Sequence, residues 1–530
     1  MAEQTVVLKG FRGLDERLIS PTGPALTSSL GNVVVRHGRV FGRSGTGLYL
    51  SVDDAHVASE NINGLLEYRR PDLTNIIVRV SATTVERLNN GGTAWDVITG
   101  TNLTGAATNR TTSTVMDDIL CFTNEGADRP RRYNASGNTA VFADATIPFG
   151  KAIASGLGFL FLGNISDDGT FSDLTNGPLI IRYSDDPFAS DGWATCEGNE
   201  LVVDATPGEI RALRFVGRTL LVYKSDAIVA LTFIGGAVRF AQQMLPFDKG
   251  IIAPLSLADV GARGHVFLAT DQELYATNGT RVEPLPPNLN TTLQETLAVA
   301  DAEVCVAATV PDDETYNLFY ARTAGVVPNG RVTWNYRTSE WYTASYSGHN
   351  FSRVLGTRRS NTTANVLLGA GTGDRQVYQL DSGQNDVDAT PTTTIPNRFY
   401  DTDWQDFGLV GDKYFTGATL QFRALAATRA EISVARDYED VFRFPQMYDL
   451  AGPRFANASS KTTHRVRYEI PPQYGEVFNI RVRFFHDGST NVAELQSIHA
   501  HVIPHKESFE GPHRSYTPAT VQTTSTETSR

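Results

Sequence analysis

The chain has 530 residues, enough for about three domains at roughly 150 residues each, and it can bury a core without disulfide or metal staples. Hydrophobic residues make up 41% and charged residues 20%, which excludes a largely disordered chain. Its 46 basic and 58 acidic side chains leave a net charge of −12, which argues against wrapping nucleic acid by neutralising phosphates.

Cys121, Cys196 and Cys305 lie far apart and form no CxxC pair, so neither a disulfide framework nor a zinc site is expected. The opening Met-Ala-Glu-Gln lacks the profile of a signal peptide. The best apolar run, 227–238, is broken by Gly235 and Gly236 and falls short of the ~18 residues a spanning helix needs. A soluble chain made in a reducing cytoplasm is the expectation. Of the 46 basic residues seven are Lys and 39 are Arg. A G+C-rich genome explains that bias, and so do guanidinium forks at protein interfaces.

Short runs of β-branched and aromatic residues recur between Gly, Asn, Asp and Pro, beginning with Gly31-Asn-Val-Val-Val-Arg36 and Asn75-Ile-Ile-Val-Arg-Val80. Gly158-Phe-Leu-Phe-Leu162, Leu179-Ile-Ile-Arg-Tyr183, Thr219-Leu-Leu-Val-Tyr223, His265-Val-Phe-Leu268, Tyr316-Asn-Leu-Phe-Tyr320 and Asn365-Val-Leu-Leu368 follow. These have strand length and strand composition. Helical periodicity is confined to a candidate at 290–301. The predicted class is all-β.

From about Gly64 to Asp381 the strands come in pairs, as in 218–233, 264–276, 365–380 and, with a longer loop around Pro328-Asn-Gly330, 315–341. A repeat of about 40–50 residues is the mark of β-propeller blades, roughly six to eight of them. Two consecutive β-sandwiches are the alternative. The Thr/Asp/Pro-rich stretch 383–396 reads as a linker. Longer strands follow at 418–425, 430–435, 464–470, 477–485 and 494–503, and Arg465-Val-Arg-Tyr-Glu-Ile470 alternates strictly, as in a sheet with one wet face. The expected organisation is N-terminal strands over 1–50 joining a platform, a propeller over 51–385, a β-sandwich platform over 386–505, and a Ser/Thr-rich tail over 506–530. The N-terminal strands are too short to stand alone, so they must pair with something, and residues 401–505 are the expected partner. Within them Val33 and Val35 should face one way and Val34 the other.

No Walker A sequence, Gly-x-Ser-x-Gly elbow or His-Glu-x-x-His occurs. Gly369-Ala-Gly-Thr-Gly373 enters a strand and reads as a hairpin turn. His499-Ala-His501 with His505 is the one cluster like metal ligands, since i and i+2 of a strand share a face. Glu494 or His486 would have to supply a third ligand, and a solvated or interface strand is the preferred reading. Ser184-Asp-Asp-Pro-Phe-Ala-Ser-Asp-Gly-Trp193 resembles the Asp-box turn of sialidase-type propellers, a structural turn remote from catalysis. Of the carboxylate pairs, Asp167/Asp168 and Asp312/Asp313 sit beside turn residues, whereas Asp53/Asp54 and Asp117/Asp118 carry no such marker. None completes a catalytic constellation, so no catalytic, cofactor-binding or metal residue is assigned and no enzymatic activity is expected. Arg129-Pro-Arg131-Arg132 is read as a loop that meets an acidic neighbour.

Phe11-Arg-Gly-Leu-Asp15, Leu30-Gly-Asn-Val-Val-Val-Arg36, Gly38-Arg-Val40 and Arg43-Ser-Gly45 together resemble the start of tail nozzle proteins of short-tailed bacteriophages. These are also called tail tubular protein B or packaged-DNA stabilisation proteins. Asn124-Glu-Gly-Ala-Asp-Arg-Pro-Arg-Arg-Tyr133, Arg182-Tyr-Ser-Asp-Asp-Pro187 with Trp193, and Thr333-Trp-Asn-Tyr-Arg-Thr-Ser-Glu-Trp341 resemble that family's blades. The likeness covers most of 1–505 diffusely; the Ser/Thr-rich tail and the compact sandwich after Asp401 depart from it. It implies a homohexamer in the virion tail, below an adaptor (the head-to-tail connector) and beside tail fibres or spikes. Genomic DNA would pass its lumen without sequence-specific binding. The other reading is a receptor-binding or glycan-hydrolysing propeller of a phage tail.

Overall fold

The computed structural model describes residues 3–8, 29–36, 39–42, 46–49, 61–166 without 73, 90 and 91, 176–194, 200–236 and 239–322. It further describes 327–346, 350–358, 365–371, 376–381, 398–450 without 403, 408, 410, 425–427 and 440, 462–486 and 494–505. More than half of this is strand, and little of the rest is helical. Five short strands come first: β1 (Gln4–Leu8), β2 (Ser29–Gly31), β3 (Val33–Arg36), β4 (Arg39–Gly42) and β5 (Thr46–Leu48).

Seven sheets of four strands follow in chain order. The first holds β6 (Ile62–Arg69), β7 (Asn75–Ser81), β8 (Val85–Leu88) and β9 (Trp95–Val97). The second holds β10 (Thr112–Met116), β11 (Ile119–Thr123), β12 (Arg131–Tyr133) and β13 (Ala140–Val141). The third holds β14 (Phe149–Gly156), β15 (Phe159–Ser166), β16 (Ile180–Ser184) and β17 (Glu200–Val202). The fourth holds β18 (Ile210–Val216), β19 (Thr219–Lys224), β20 (Ile228–Phe233) and β21 (Phe240–Met244). The fifth holds β22 (Ala258–Asp259), β23 (His265–Leu268), β24 (Leu274–Thr277) and β25 (Val282–Pro284), and the single α-helix of the described residues, α1 (Pro287–Thr296), comes next. The sixth holds β26 (Val306–Val310), β27 (Thr315–Tyr320), β28 (Gly330–Asn335) and β29 (Trp341–Ser345). The seventh holds β30 (Phe351–Arg358), β31 (Asn365–Gly371) and β32 (Val377–Leu380), with β5 as its fourth strand. The C-terminal strands are β33 (Phe399–Asp401), β34 (Lys413–Ala424), β35 (Thr428–Arg436), β36 (Arg443–Asp449), β37 (Thr462–Gly475), β38 (Phe478–His486) and β39 (Glu494–Pro504).

The chain divides into two compact units, one of 1–47, 330–348 and 381–530, the other of 48–329 and 349–380. In the second unit apolar clusters alternate with sheets. Leu66, Tyr68 and Val78 of the first sheet meet Leu120 and Phe122 of the second. Cys121 of the second meets Leu160 and Leu162 of the third, whose Phe161 and Tyr183 meet Leu220 and Val229 of the fourth. Tyr223 and Ile228 of the fourth meet Phe267 of the fifth, and Leu368 and Val377 of the seventh meet Ile62 and Ile77 of the first. Middle strands are therefore buried on both faces, which is why β19 and β27 read as mostly apolar runs and not as alternating ones. The first strands follow one another and β30 returns to β6, so the ring closes and the arrangement is propeller-like. Arg214 joins β18 to the next sheet by donating Nη1 to Leu257 O at 3.0 Å. Two consecutive sandwiches, the alternative read from sequence, would not give each of the first four sheets an apolar neighbour on both sides.

The first unit holds two larger sheets. One runs β3-β4-β39-β34-β37 with β1 also on β39; the other runs β2-β33-β38-β35-β36. Their apolar faces meet through Phe415 against Phe478 at 5.3 Å and Phe422 against Phe484 at 6.4 Å between ring centroids. Along β37 exposure alternates as the sequence does, Arg465, Arg467 and Glu469 out and Val466, Tyr468 and Ile470 in. At a bulge in β34, Gly417 (φ 149°) lets the strand pass where a Cβ would stand 2.1 Å from Tyr468 O. Strand β1 pairs antiparallel with β39, Gln4 opposite Val502 and Leu8 opposite Ile498, and β4 pairs with the other end of β39.

The run 31–36, predicted as one strand, is two. Asn32 takes φ 49°, its carbonyl oxygen Oδ1 accepts the Ser345 N–H at 2.9 Å, and the kink sends β2 and β3 to different sheets. The side chains of Val34 and Val35 lie outside the described residues. The helix predicted at 290–301 starts instead at Pro287, whose fixed φ suits a first turn, and ends at Thr296 because Leu297 is extended. Val299–Val304 is a separate 3₁₀ segment kinked at Asp301. Strand β36 went unpredicted; Pro445 within it is tolerated because β36 is an edge strand. The linker at 383–396 and the tail at 506–530 lie outside the described residues. Among those residues no helix is long and apolar enough to cross a membrane.

Candidate functional site

The starts of the ring's first strands converge on a cluster of charges. Arg110 lies just before β10, Arg211 is the second residue of β18, Arg353 is near the start of β30, and Glu303 is on the 3₁₀ segment that leads into β26. Glu303 bridges two guanidiniums, Oε1 to Arg211 Nη1 at 3.2 Å and Oε2 to Arg110 Nη2 at 3.5 Å. Arg110 and Arg211 belong to the second and fourth sheets, neither next to the sixth, so this carboxylate reaches across the mouth of the ring. Glu125 flanks Arg110 at 3.8 Å, and Glu209 flanks Arg211 at 3.3 Å. Arg211 also donates Nη1 to Ile252 O at 3.0 Å. Behind them Arg353 donates to the carbonyls of Asn63, Ser352 and, at 3.4 Å, Asn109. Burial first, then repulsion from Arg110, lowers its pKa to about 9 against the pull of Glu125. Three arginines and three glutamates from the second, fourth, sixth and seventh sheets thus meet.

The histidine cluster has other duties. His499 and His501 share a face of β39, but His501 Nε2 lies 2.9 Å from Thr419 Oγ1 and its Nδ1 3.4 Å from Thr5 Oγ1. His499 Nε2 lies 3.1 Å from Ser497 Oγ. Burial lowers the His501 pKa. Glu494, at the opposite end of β39, pairs with Arg39 at 2.7 Å. His505 packs on Tyr474 at 5.7 Å, and the His486 side chain lies outside the described residues. Among the described residues no three His, Cys, Asp or Glu side chains are placed to hold a metal.

The segment 184–193 folds into a self-contained turn. Ser184 donates Oγ–H to Gly192 O at 2.7 Å, and the buried Trp193 donates Nε1–H to Pro187 O at 3.3 Å. Sequence reading missed the residue that holds this turn. Asp144 Oδ2 accepts the N–H groups of Trp193 at 2.5 Å and Ala194 at 2.7 Å, while its Oδ1 accepts Thr146 N–H at 2.7 Å and Thr146 Oγ1–H at 2.6 Å. Burial alone would raise the Asp144 pKa, but these bonds from Thr146, Trp193 and Ala194 together bring it below the usual range. A depressed carboxyl contributes stability above its unfolded pKa, near ~3.9, that is lost as pH falls through the folded value. D144N is therefore expected to be less stable than the parent by about 1–3 kcal/mol at pH 7. The gap should shrink below about pH 4, as read from urea unfolding at a series of pH values. A gap that stays constant into acid would count against this role.

Asp117 and Asp118, which carried no turn marker in sequence, form the two-residue β10–β11 hairpin turn with φ of 48° and 57°. Asp312 and Asp313 lie in a 3₁₀ turn after β26; Asp53, Asp54, Asp167 and Asp168 lie outside the described residues. The expectation of a basic loop at 129–132 fails. Arg131 and Arg132 are in β12, and Arg131 is buried and donates to the carbonyls of Thr101 at 3.0 Å and Asn102 at 3.4 Å, with Asp128 near enough to favour its charge. Gly369 and Gly371 are strand residues of β31; 372–375 lie outside the described residues. Cys121 and Cys305 are free and buried, each pushed up to about 12 by burial, and Cys196 lies outside the described residues.

No family model matches the chain, and no curated protein matches it. Among solved structures, the computationally designed Ika8 protein aligns over 64% of this chain and 99% of its own, at 13% identity and TM-score 0.36. The Pan2 WD40 domain of Neurospora crassa aligns over 64% of this chain and 94% of its own, at 11% identity and TM-score 0.37. PorZ of Porphyromonas gingivalis, a surface component of a type-IX secretion system, aligns over 66% of this chain and 39% of its own, at 8% identity and TM-score 0.35.

Proposed function

We propose that the chain is a structural part of a bacteriophage tail, a nozzle subunit that assembles as a homohexamer below the adaptor and conducts DNA during ejection. In this reading the two sheets of the first unit make a sandwich platform, and the N-terminal strands belong to it. The observation that carries the reading is the bridging of Arg110 and Arg211 by Glu303. It spans the mouth of the ring with ion pairs, and in this reading the conduit runs between copies and not through one propeller. A net charge of −12 suits a wall past which DNA slides without being gripped. Tail fibres or spikes would attach nearby, and the site of action would be the virion tail after synthesis in the host cytoplasm.

The alternative is a receptor-binding or glycan-hydrolysing propeller, favoured by the turn at 184–193. Electron microscopy of the purified protein, alone and with its adaptor, separates the two. Sixfold rings with a central opening are expected. Trimers, or release of sugar from host polysaccharide that a single carboxylate change abolishes, would overturn the nozzle reading.

A further inference from the structure

We propose that the mouth of the ring is an oxyanion-binding site, for a phosphate or carboxylate group of a ligand, and that Glu303 occupies it as an internal stand-in. The argument begins with how Glu303 is held. Its two oxygens are divided between two arginines, the arrangement a bridging phosphate or carboxylate adopts between guanidinium forks. Both contacts are long for charge-assisted bonds, at 3.2 and 3.5 Å, and the Glu303 side chain is 53% exposed while Arg211 and Arg110 are 20% and 22% exposed. The arginines are more enclosed than the carboxylate.

The anchoring differs in the same sense. Arg211 is tied down by Ile252 O and Glu209, whereas Arg110 has Glu125 on its side chain and its backbone N–H donates to Glu125 Oε2 at 2.9 Å. Glu303 rides on the kinked 3₁₀ segment Val299–Val304, whose end residues Val299 and Val304 expose 59% and 39% of their surface. A short segment with little buried apolar surface is cheap to displace. With Glu303 swung out, Arg110, Arg211 and Arg353 face only Glu125 and Glu209. Arg211 Nε, buried and without a hydrogen-bond partner among the described residues, is a further donor there. Arg353, hydrogen-bonded to carbonyls and drawn on only by Glu125, adds positive charge behind the cleft. A ligand oxyanion would thus gain the bridge Glu303 now makes.

The site lies within one ring, so its test needs no assembly and can fail while the nozzle reading stands. Calorimetric titration of the full chain with inorganic phosphate, and separately with glucuronate, is the experiment. E303Q is expected to bind at least one of them about tenfold more tightly than the parent, because the internal competitor loses its charge. R211Q placed in the E303Q background should abolish that binding. Phosphate alone would mark a phosphorylated ligand, glucuronate alone an acidic sugar, and both a general oxyanion; each supports the site. Should E303Q fail to fold, limited proteolysis of the parent replaces it, with faster cleavage at 299–304 expected when the anion is present. No binding of either anion to parent and variant, or binding that R211Q leaves unchanged, would overturn the proposal.

Discussion

Replacing Asp381 with alanine is expected to destabilise the first unit by about 3–5 kcal/mol, the cost of leaving a buried guanidinium without its partner. Arg331 on β28 has a side chain only 3% exposed, and its Nη1 reaches both Asp381 oxygens, at 2.9 and 3.0 Å, while Nη2 adds a third bond at 3.0 Å. Tyr346 Oη accepts from Nη1 at 3.0 Å and Thr333 Oγ1 from Nε at 2.9 Å. Burial opposes the charge on Arg331, and Asp381 leads the groups that outweigh it, so the arginine stays ionised. Without the carboxylate that charge keeps its desolvation penalty and loses its compensation. The double variant R331M/D381A removes the charge as well, so it should be more stable than D381A alone. Urea unfolding followed by tryptophan fluorescence tests this, since Trp334 and Trp341 lie on β28 and the strand paired with it. A D381A midpoint equal to the parent's, or a double variant weaker than D381A, would show that the pair does not have this role.

That contact also marks where sequence reading runs out. The segments 219–223, 265–268 and 316–320 could be read as strands because buried middle strands need apolar residues on both faces, and β19, β23 and β27 lie there. The hairpins at 218–233 and 264–276 were legible because the pairing partners are neighbours in sequence. Ring closure was not legible. Strand β5 joins the seventh sheet from more than three hundred residues away, and nothing in Thr46-Gly-Leu48 specifies β32 as its partner. The candidate site was hidden for the same reason. Arg110, Glu125, Glu209, Arg211, Glu303 and Arg353 each look like solvated charges in their own segments, and only the ring brings them together. Asp144 was equally silent, because a carboxylate that caps a turn fifty residues away leaves no local pattern. Arg131 shows the converse error: a dense basic spot suggests a surface loop, yet its side chain is buried against carbonyls.

The second large effect is expected in the ring. F161A should destabilise the second unit by about 3–5 kcal/mol, the usual range for emptying a buried phenylalanine site. Phe161 is fully buried at the junction of the third and fourth sheets. Its ring centroid lies 6.0 Å from Phe159, 5.7 Å from Tyr183, 5.7 Å from Phe215 and 5.5 Å from Phe240. Edge-to-face pairs such as that with Phe240 add about 0.5–1.5 kcal/mol beyond the area they bury, and they share one ring, so they are lost together. The site cannot collapse easily, because strands on both sides are fixed by their own sheets and Gly156 already receives the Phe215 ring where a Cβ would stand 2.7 Å from it. F161L keeps most of the volume and should lose less than half as much. Val202, on the outermost strand of the third sheet and 36% exposed, gives the internal control: V202A should change stability by about 0.5 kcal/mol or less. Denaturant midpoints for the three variants should therefore fall in the order V202A, F161L, F161A. If F161A unfolded with V202A, the aromatic cluster would be filling space without holding the two sheets together, and ring stability would have to come from the strand ladders alone.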